Sequence, residues 1–170
     1  MKDISFRNDV LPLKNQLYRL ALHITLNATE AEDVVQETLI RVWNKREDWA
    51  VIDSIEAFSF TICRNIALDS IRKHDNNNSS LDSTPIERAD QSSNPFEQTA
   101  QSDSIEQVKR IVESLPEKQR SCMQLRDFEG KPYKEISEVL GISEEQVKVN
   151  IFRARQTVKE RFNQLNSYGL

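Results

Sequence analysis

Five bases fall between residues 148 and 161: Lys148, Arg153, Arg155, Lys159 and Arg161. They face the single acid Glu160, a local net charge of +4 in a chain of net charge −4. Such a strip makes and breaks no bonds. It can hold phosphates, since each base that neutralises a phosphate releases a condensed counterion, and it can reach guanine edges. Residues for covalent chemistry do not assemble. There are no paired carboxylates, no nucleophile–base set and no glycine-rich phosphate loop, so the chain reads as a non-enzyme with no small-molecule substrate. Cys63 and Cys122 form no CxxC pair and read as buried thiols. His23 and His74 are isolated, so no zinc set forms, and neither metal nor cofactor is expected.

The elements that position the strip are legible. Tyr133 to Leu140 predicts a short helix, with Pro132 at its first turn. Gly141 suits a left-handed cap. Ser143 and Gln146 make a capping box for the next helix. On that helix Val147, Ile151, Ala154, Val158 and Phe162 form one apolar stripe, faced by Ile136, Val139 and Leu140. This is the pattern of a helix-turn-helix. The bland alternative is a helical hairpin with a solvated charged face. Lys148, Val149, Phe152 and Arg153 point away from the stripe, on turns that can enter a major groove. Val149 and Phe152 suit a thymine methyl. Arg155 and Ser143 are placed for phosphate, and Phe152 is equally readable as partly core.

The 170-residue chain holds 38% apolar and 29% charged residues and only three glycines, with no strand-like alternation. An all-α fold of two small helical domains is expected, joined by a flexible linker. Residues 1–74 read as a three-helix unit. Leu13, Leu17, Leu20 and Ile24 mark its first helix. Thr29 is expected to cap the second, whose buried side is Ala31, Val34, Val35, Leu39, Val42 and Trp43. Ser54 caps a third helix running to about Lys73, after a loop through Trp49 and Asp53. That third helix is apolar on two sides, Phe58–Ile62–Ile66 and Phe60–Ala67–Leu68–Ile71. It should be covered on both sides or leave one for a partner.

Residues 75–104 carry a net charge of −5, two prolines and no periodicity, the composition of an acidic tether. The flanks are close to neutral, −1 for residues 1–74 and +2 for residues 105–170, so the acidic balance is no argument against nucleic acid. Residues 105–170 read as a four-helix unit: Ser104 and Gln107 box the first helix, and Glu117 to Phe128 form the second, with Cys122, Met123, Leu125 and Phe128 inward. No apolar run is long enough for a bilayer. The start, MKDISFRNDVLPLK, lacks a signal peptide's apolar core, so the chain is expected to stay in the cytoplasm.

ATEAEDVVQETLIRVW followed by AFSFTICRNIALDSIRK resembles the second conserved region of bacterial sigma factors. SLPEKQRSCMQLRDFEGKPYKEISEVLGISEEQVKVNIFRARQTVKERF resembles the fourth. Joined directly by a linker, the layout is similar to the extracytoplasmic-function (ECF) group. The resemblance implies binding to core RNA polymerase, recognition of minus-35 and minus-10 promoter DNA, promotion of transcription initiation, and restraint by an anti-sigma factor. It implies a polymerase-docking patch at Asp33, Gln36, Glu37 and Ile40. The residue-level alternative there is a solvated face with a Glu37–Arg41 pair. It implies a minus-10 surface at Arg64, Asn65, Arg72 and Lys73, with the loop from Trp49 to Ser54 beside it; Asn65 could instead be a polar residue satisfied inside the bundle. It implies a minus-35 surface at Ser143, Gln146, Lys148, Val149, Asn150, Phe152, Arg153 and Arg155. Gln146, Val149 and Asn150 depart from the family's usual residues. Two other classes fit the residues: a helix-turn-helix regulator that does not bind polymerase, and an interaction protein that sequesters another factor without DNA.

Overall fold

The computed structural model describes residues 3–80 and 100–167, and among these the ordered elements are all helical. The N-terminal unit contains α1 (Lys14–Thr25), α2 (Ala28–Asn44) and α3 (Ile55–Ser80). The C-terminal unit contains α4 (Ala100–Glu113), α5 (Glu117–Met123), α6 (Tyr133–Leu140) and α7 (Glu144–Ser167). Short helical turns at Phe6–Val10 and Leu11–Leu13 precede α1, and Arg46–Val51 winds as a 3-10 turn between α2 and α3.

Local chemistry sets most of the boundaries. The α1 stripe Leu13, Leu17, Leu20 and Ile24 is buried. The cap of α2 is Asn27 and not Thr29: Asn27 has extended backbone, and its Oδ1 accepts the Glu30 N–H at 3.0 Å. Thr29 lies in the first turn. Ser54 caps α3 as expected, its Oγ accepting the Ala57 N–H at 3.1 Å. The helix continues to Ser80, seven residues past Lys73. No Gly or Pro stops it there, and the His74 ring lies against the Glu30 carboxylate of α2. At the other end of the expected tether, α4 begins at Ala100, so Ser104 lies inside a helix and does not cap one. The rest of that tether, residues 81–99, falls outside the described residues.

Three aromatic residues depart from their expected places. Trp49 is buried beneath a 3-10 turn, with its indole N–H donating to the Val42 carbonyl at 3.1 Å. Trp43 lies nearly half exposed, packed edge-on against Phe6 and Trp49. Phe128 is 58% exposed, because α5 ends at Met123 and a wider turn, Gln124–Phe128, swings the ring out toward His23.

The two-sided α3 is covered on both sides. Phe58 and Ile62 pack with Val10, Val42, Trp49 and Ile52. Phe60, Cys63 and Ala67 join a larger cluster holding Leu17, Leu20 and Val35 of the N-terminal unit together with Leu125, Ile136, Val139 and Ile151 of the C-terminal unit. The two units thus share one continuous apolar core. Among the described residues, three ion pairs cross between them. Arg64 grips Glu117 with both nitrogens, at 2.8 and 2.9 Å. Arg19 grips Glu129, and Lys131 pairs with Glu56 beneath the Phe60 ring. Arg64 and Glu117 are both largely buried, and removing one partner of such a pair typically costs about 3–5 kcal/mol.

Candidate nucleic-acid interface

The helix-turn-helix is built by two caps. Gly141 adopts φ 67°, and its N–H donates to the Ser137 carbonyl at 2.9 Å, ending α6. A side chain at this φ would be strained. Two residues later the capping box closes: the Ser143 N–H donates to Gln146 Oε1 at 3.0 Å, and the Gln146 N–H donates to Ser143 Oγ at 3.1 Å. Pro132 is the N-cap residue of α6, one position earlier than expected. Its extended ψ of 151° explains why it precedes the first turn. Val147, Ile151 and Ala154 are buried against α6 and α5, so the opposite side of α7 faces outward.

That outward side divides in two. Ser143, Gln146, Val149, Asn150 and Arg153 line one shallow depression together with Ile142, Glu145 and Lys118. Arg153 is exposed and makes no ion pair among the described residues. Lys118, from α5, is the base that sequence reasoning missed; it lies 35 residues before Arg153 in the chain, and only the packing of α5 against α7 brings it beside Arg153. Around the helix, Phe152 and Arg155 line a second depression with Gln156 and Lys159. Phe152 is 66% exposed, which removes the core reading. Lys148 lies over the Tyr133 ring at 5.4 Å, a cation–π contact that holds it on this second side.

The amides in the first depression are directed. Gln146 Oε1 is taken by Ser143, so its NH₂ group faces out as a donor. The Asn150 NH₂ group donates to the Gln146 carbonyl at 2.8 Å, leaving its Oδ1 as an acceptor. One donor and one acceptor a turn apart are the groups needed to read base edges.

In the N-terminal unit, Asp33, Gln36 and Ile40 are exposed along one face of α2, beside a half-exposed Glu37 that pairs with Arg41 at 3.0 Å. Ile40 continues into an apolar depression with Phe6, Leu11, Leu39 and Trp43. The structure therefore holds the four patch residues together and adds an apolar flank. On α3, Asn65, Arg72 and Lys73 are exposed, so Asn65 is not satisfied within the bundle. Arg64 is set apart from them, 8% exposed and paired to Glu117. Trp49, under its turn, is not part of an open surface.

The thiols are inert by environment. Burial pushes both Cys63 and Cys122 up to about 12, far from the reactive thiolate range. Among the described residues no cluster of His, Cys, Asp and Glu is placed to hold a metal ion, and no helix is long and apolar enough to cross a membrane.

Comparison with known proteins agrees with this division. Residues 10–77 match the family model for Sigma-70 region 2, and residues 105–158 match that for Sigma-70, region 4. The probable RNA polymerase sigma factor RfaY of Xanthomonas campestris pv. campestris is 28% identical over 158 residues, which cover 91% of this chain but only 40% of that protein. The ECF RNA polymerase sigma factor SigL of Mycobacterium tuberculosis is 31% identical over 152 residues, covering 88% of this chain and 84% of SigL. Among solved structures, the sigma factor RpoE of Bartonella quintana, in complex with the anti-sigma factor NepR, superposes with a TM-score of 0.72 at 23% identity, covering 93% of this chain and 96% of that one. This last likeness is one of fold. With both sigma regions in order, and SigL matched over most of its length, the chain belongs to the ECF RNA polymerase sigma factor family.

Proposed function

We propose that the chain is an alternative sigma factor that binds core RNA polymerase, carries it to minus-35 and minus-10 promoter elements and promotes initiation there. The observation that carries this reading is the outward face of α7. A rigid helix, capped at both its turn and its start, presents Arg153, Asn150, Gln146 and Val149 beside Lys118. Phosphate contacts fix such a helix in the groove, and base contacts give it register. The exposed acids on α2, with the apolar flank at Ile40 and Trp43, suit a basic partner helix on polymerase. Asn65, Arg72 and Lys73 on α3 suit an opened single strand: the amide offers a donor and an acceptor to an extruded base, and the bases hold its backbone.

The catalysis belongs to the polymerase, and the factor supplies recognition. It works in the cytoplasm, where polymerase and promoter DNA meet. An anti-sigma protein is the natural restraint, since the RpoE neighbour was solved with one. The test is transcription in a purified system. Core polymerase with this chain should start RNA synthesis at a defined site on a native promoter, and polymerase alone should not. Binding to promoter DNA without any association with core polymerase would instead assign a free-standing regulator.

A further inference from the structure

Arg64 is the only one of the four proposed minus-10 residues that is shut away. Its guanidinium is met edge-on by both oxygens of Glu117, at 2.8 and 2.9 Å. A carboxylate and a phosphate engage a guanidinium through the same two parallel N–H groups. Glu117 is held in place by the Ser121 hydroxyl at 3.1 Å and by its position in the first turn of α5. The contact is not isolated. Glu56, Phe60 and Arg64 follow at intervals of four on α3, and all three meet the C-terminal unit, Glu56 and Phe60 through Lys131. Arg19 on α1 is held in the same sense by Glu129. At two of the three crossings among the described residues, then, a base of the N-terminal unit is covered by an acid of the C-terminal unit. Asn65, Arg72 and Lys73, further round or further along α3, remain open.

We propose that Glu117 occupies, in the free chain, the place on Arg64 that a backbone phosphate of promoter DNA takes, so that the C-terminal unit is an internal competitor for the minus-10 strand. The inference rests on the reading of α3 as the strand-binding helix. DNA can reach the exposed Arg72 and Lys73 first, but it gains Arg64 only when α5 and α6 leave α3. Closure lowers the apparent affinity by the fraction of chains that are open. Free factor is thereby kept from single-stranded DNA, and any partner that separates the two units unmasks Arg64.

The test uses the full chain with fluorophores at Asn44→Cys and Asn163→Cys, both exposed positions. The probe is a labelled 20-nucleotide single-stranded DNA carrying the non-template minus-10 sequence of a promoter the factor uses. Glu117→Gln keeps the side-chain shape and removes the charge. It should lower energy transfer between the units and tighten DNA binding about tenfold, the gain expected if about one chain in ten is open beforehand. Glu106→Gln removes the same charge from an exposed pair on α4 and should change neither reading. The charge-swapped Arg64→Glu/Glu117→Arg chain should recover the original energy transfer. Unchanged energy transfer in Glu117→Gln overturns the clasp. Lower transfer without a gain in DNA affinity overturns the competition. The reading of α3 fails separately: Arg64→Gln added to Glu117→Gln would then bind DNA as tightly as Glu117→Gln alone.

Discussion

Arg155 is clamped by Asp127: its Nε lies 3.1 Å from one carboxylate oxygen, and a second guanidinium nitrogen takes the other. The pair links α7 to the turn that follows α5 and holds the Arg155 guanidinium above its ordinary range, chiefly through the hydrogen bond itself. Arg155 is therefore already committed within the chain, whereas Arg153 is free of ion pairs among the described residues. Asp127→Asn should release Arg155, tighten binding to cognate and altered minus-35 duplexes alike, and steepen the salt dependence by about one counterion. Arg153→Ala should instead cost roughly 1–3 kcal/mol on the cognate duplex and less on substituted ones. Titrations of both variants at several salt concentrations decide it. A loss of sequence preference in Asp127→Asn with none in Arg153→Ala would place the reading face on the Phe152–Arg155 side.

Gln146 has two tasks that a single substitution separates. Its oxygen closes the capping box with Ser143, and its NH₂ group faces outward. Gln146→Glu preserves the cap, since Glu serves a capping box equally well. Stability should stay within about 0.5 kcal/mol, while affinity for the cognate minus-35 duplex falls because the outward donor has become an acceptor. Ser143→Ala should do the reverse first, costing about 1 kcal/mol in stability through the lost cap. Thermal melts beside binding curves distinguish the two.

The acidic face of α2 is tested by reversing Asp33 and Glu37 together to Lys. Core polymerase binding should be lost. The double variant should remain folded, because both side chains lie on the surface and Glu37 loses only its pair with Arg41, worth a few tenths of a kcal/mol. Retained affinity in a gel-shift or interferometry assay with core enzyme would remove the patch from the docking surface.

His23 gives the closed form a pH dependence. Its ring meets that of Phe128 from the other unit at a tilt of 42°, centroids 5.7 Å apart, and burial lowers its pKa below the ordinary value. The Arg19 carbonyl on its own helix and Glu113 and Glu129 across the interface act against that shift, while Arg120 adds to it. A folded-state pKa below the unfolded one means stability that is complete above about pH 6.5 and is lost as pH falls through the lowered value. The melting temperature should fall more steeply below pH 6.5 in the native chain than in His23→Gln. Parallel melts from pH 5 to 8 measure the difference, and identical slopes would exclude His23.

The helix-turn-helix was legible because its signals are local. Gly141, Ser143, Gln146 and the stripe from Val147 to Ala154 lie within fourteen residues, and each does what its spacing predicts. The whole-element pattern of α1 and α2 was legible for the same reason. What escaped notice depends on residues distant in sequence. Arg64 looks like any base near a helix end until Glu117, 53 residues later, covers it. Phe128 looks apolar and therefore inward, but the wider turn after Met123 rotates it outward. Polar composition suggested that α3 stops near Lys73. Yet composition alone does not end a helix that lacks Gly or Pro and is tied down through His74 to Glu30.

The single apolar cluster spanning both units gives this factor a thermometer. Parting α3 and α1 from α5 and α6 exposes apolar surface, and exposing apolar surface raises the heat capacity. The equilibrium between joined and parted units must then curve with temperature, with closure strongest at an intermediate temperature and weaker toward the cold as the entropic drive for burial fades. Two modules linked only by salt bridges would show little such curvature. Here Phe60, Leu125, Ile136 and Val139 lie in one unbroken cluster, so chilling alone should shift the chain toward the parted form, in which the Arg64 side of α3 is uncovered.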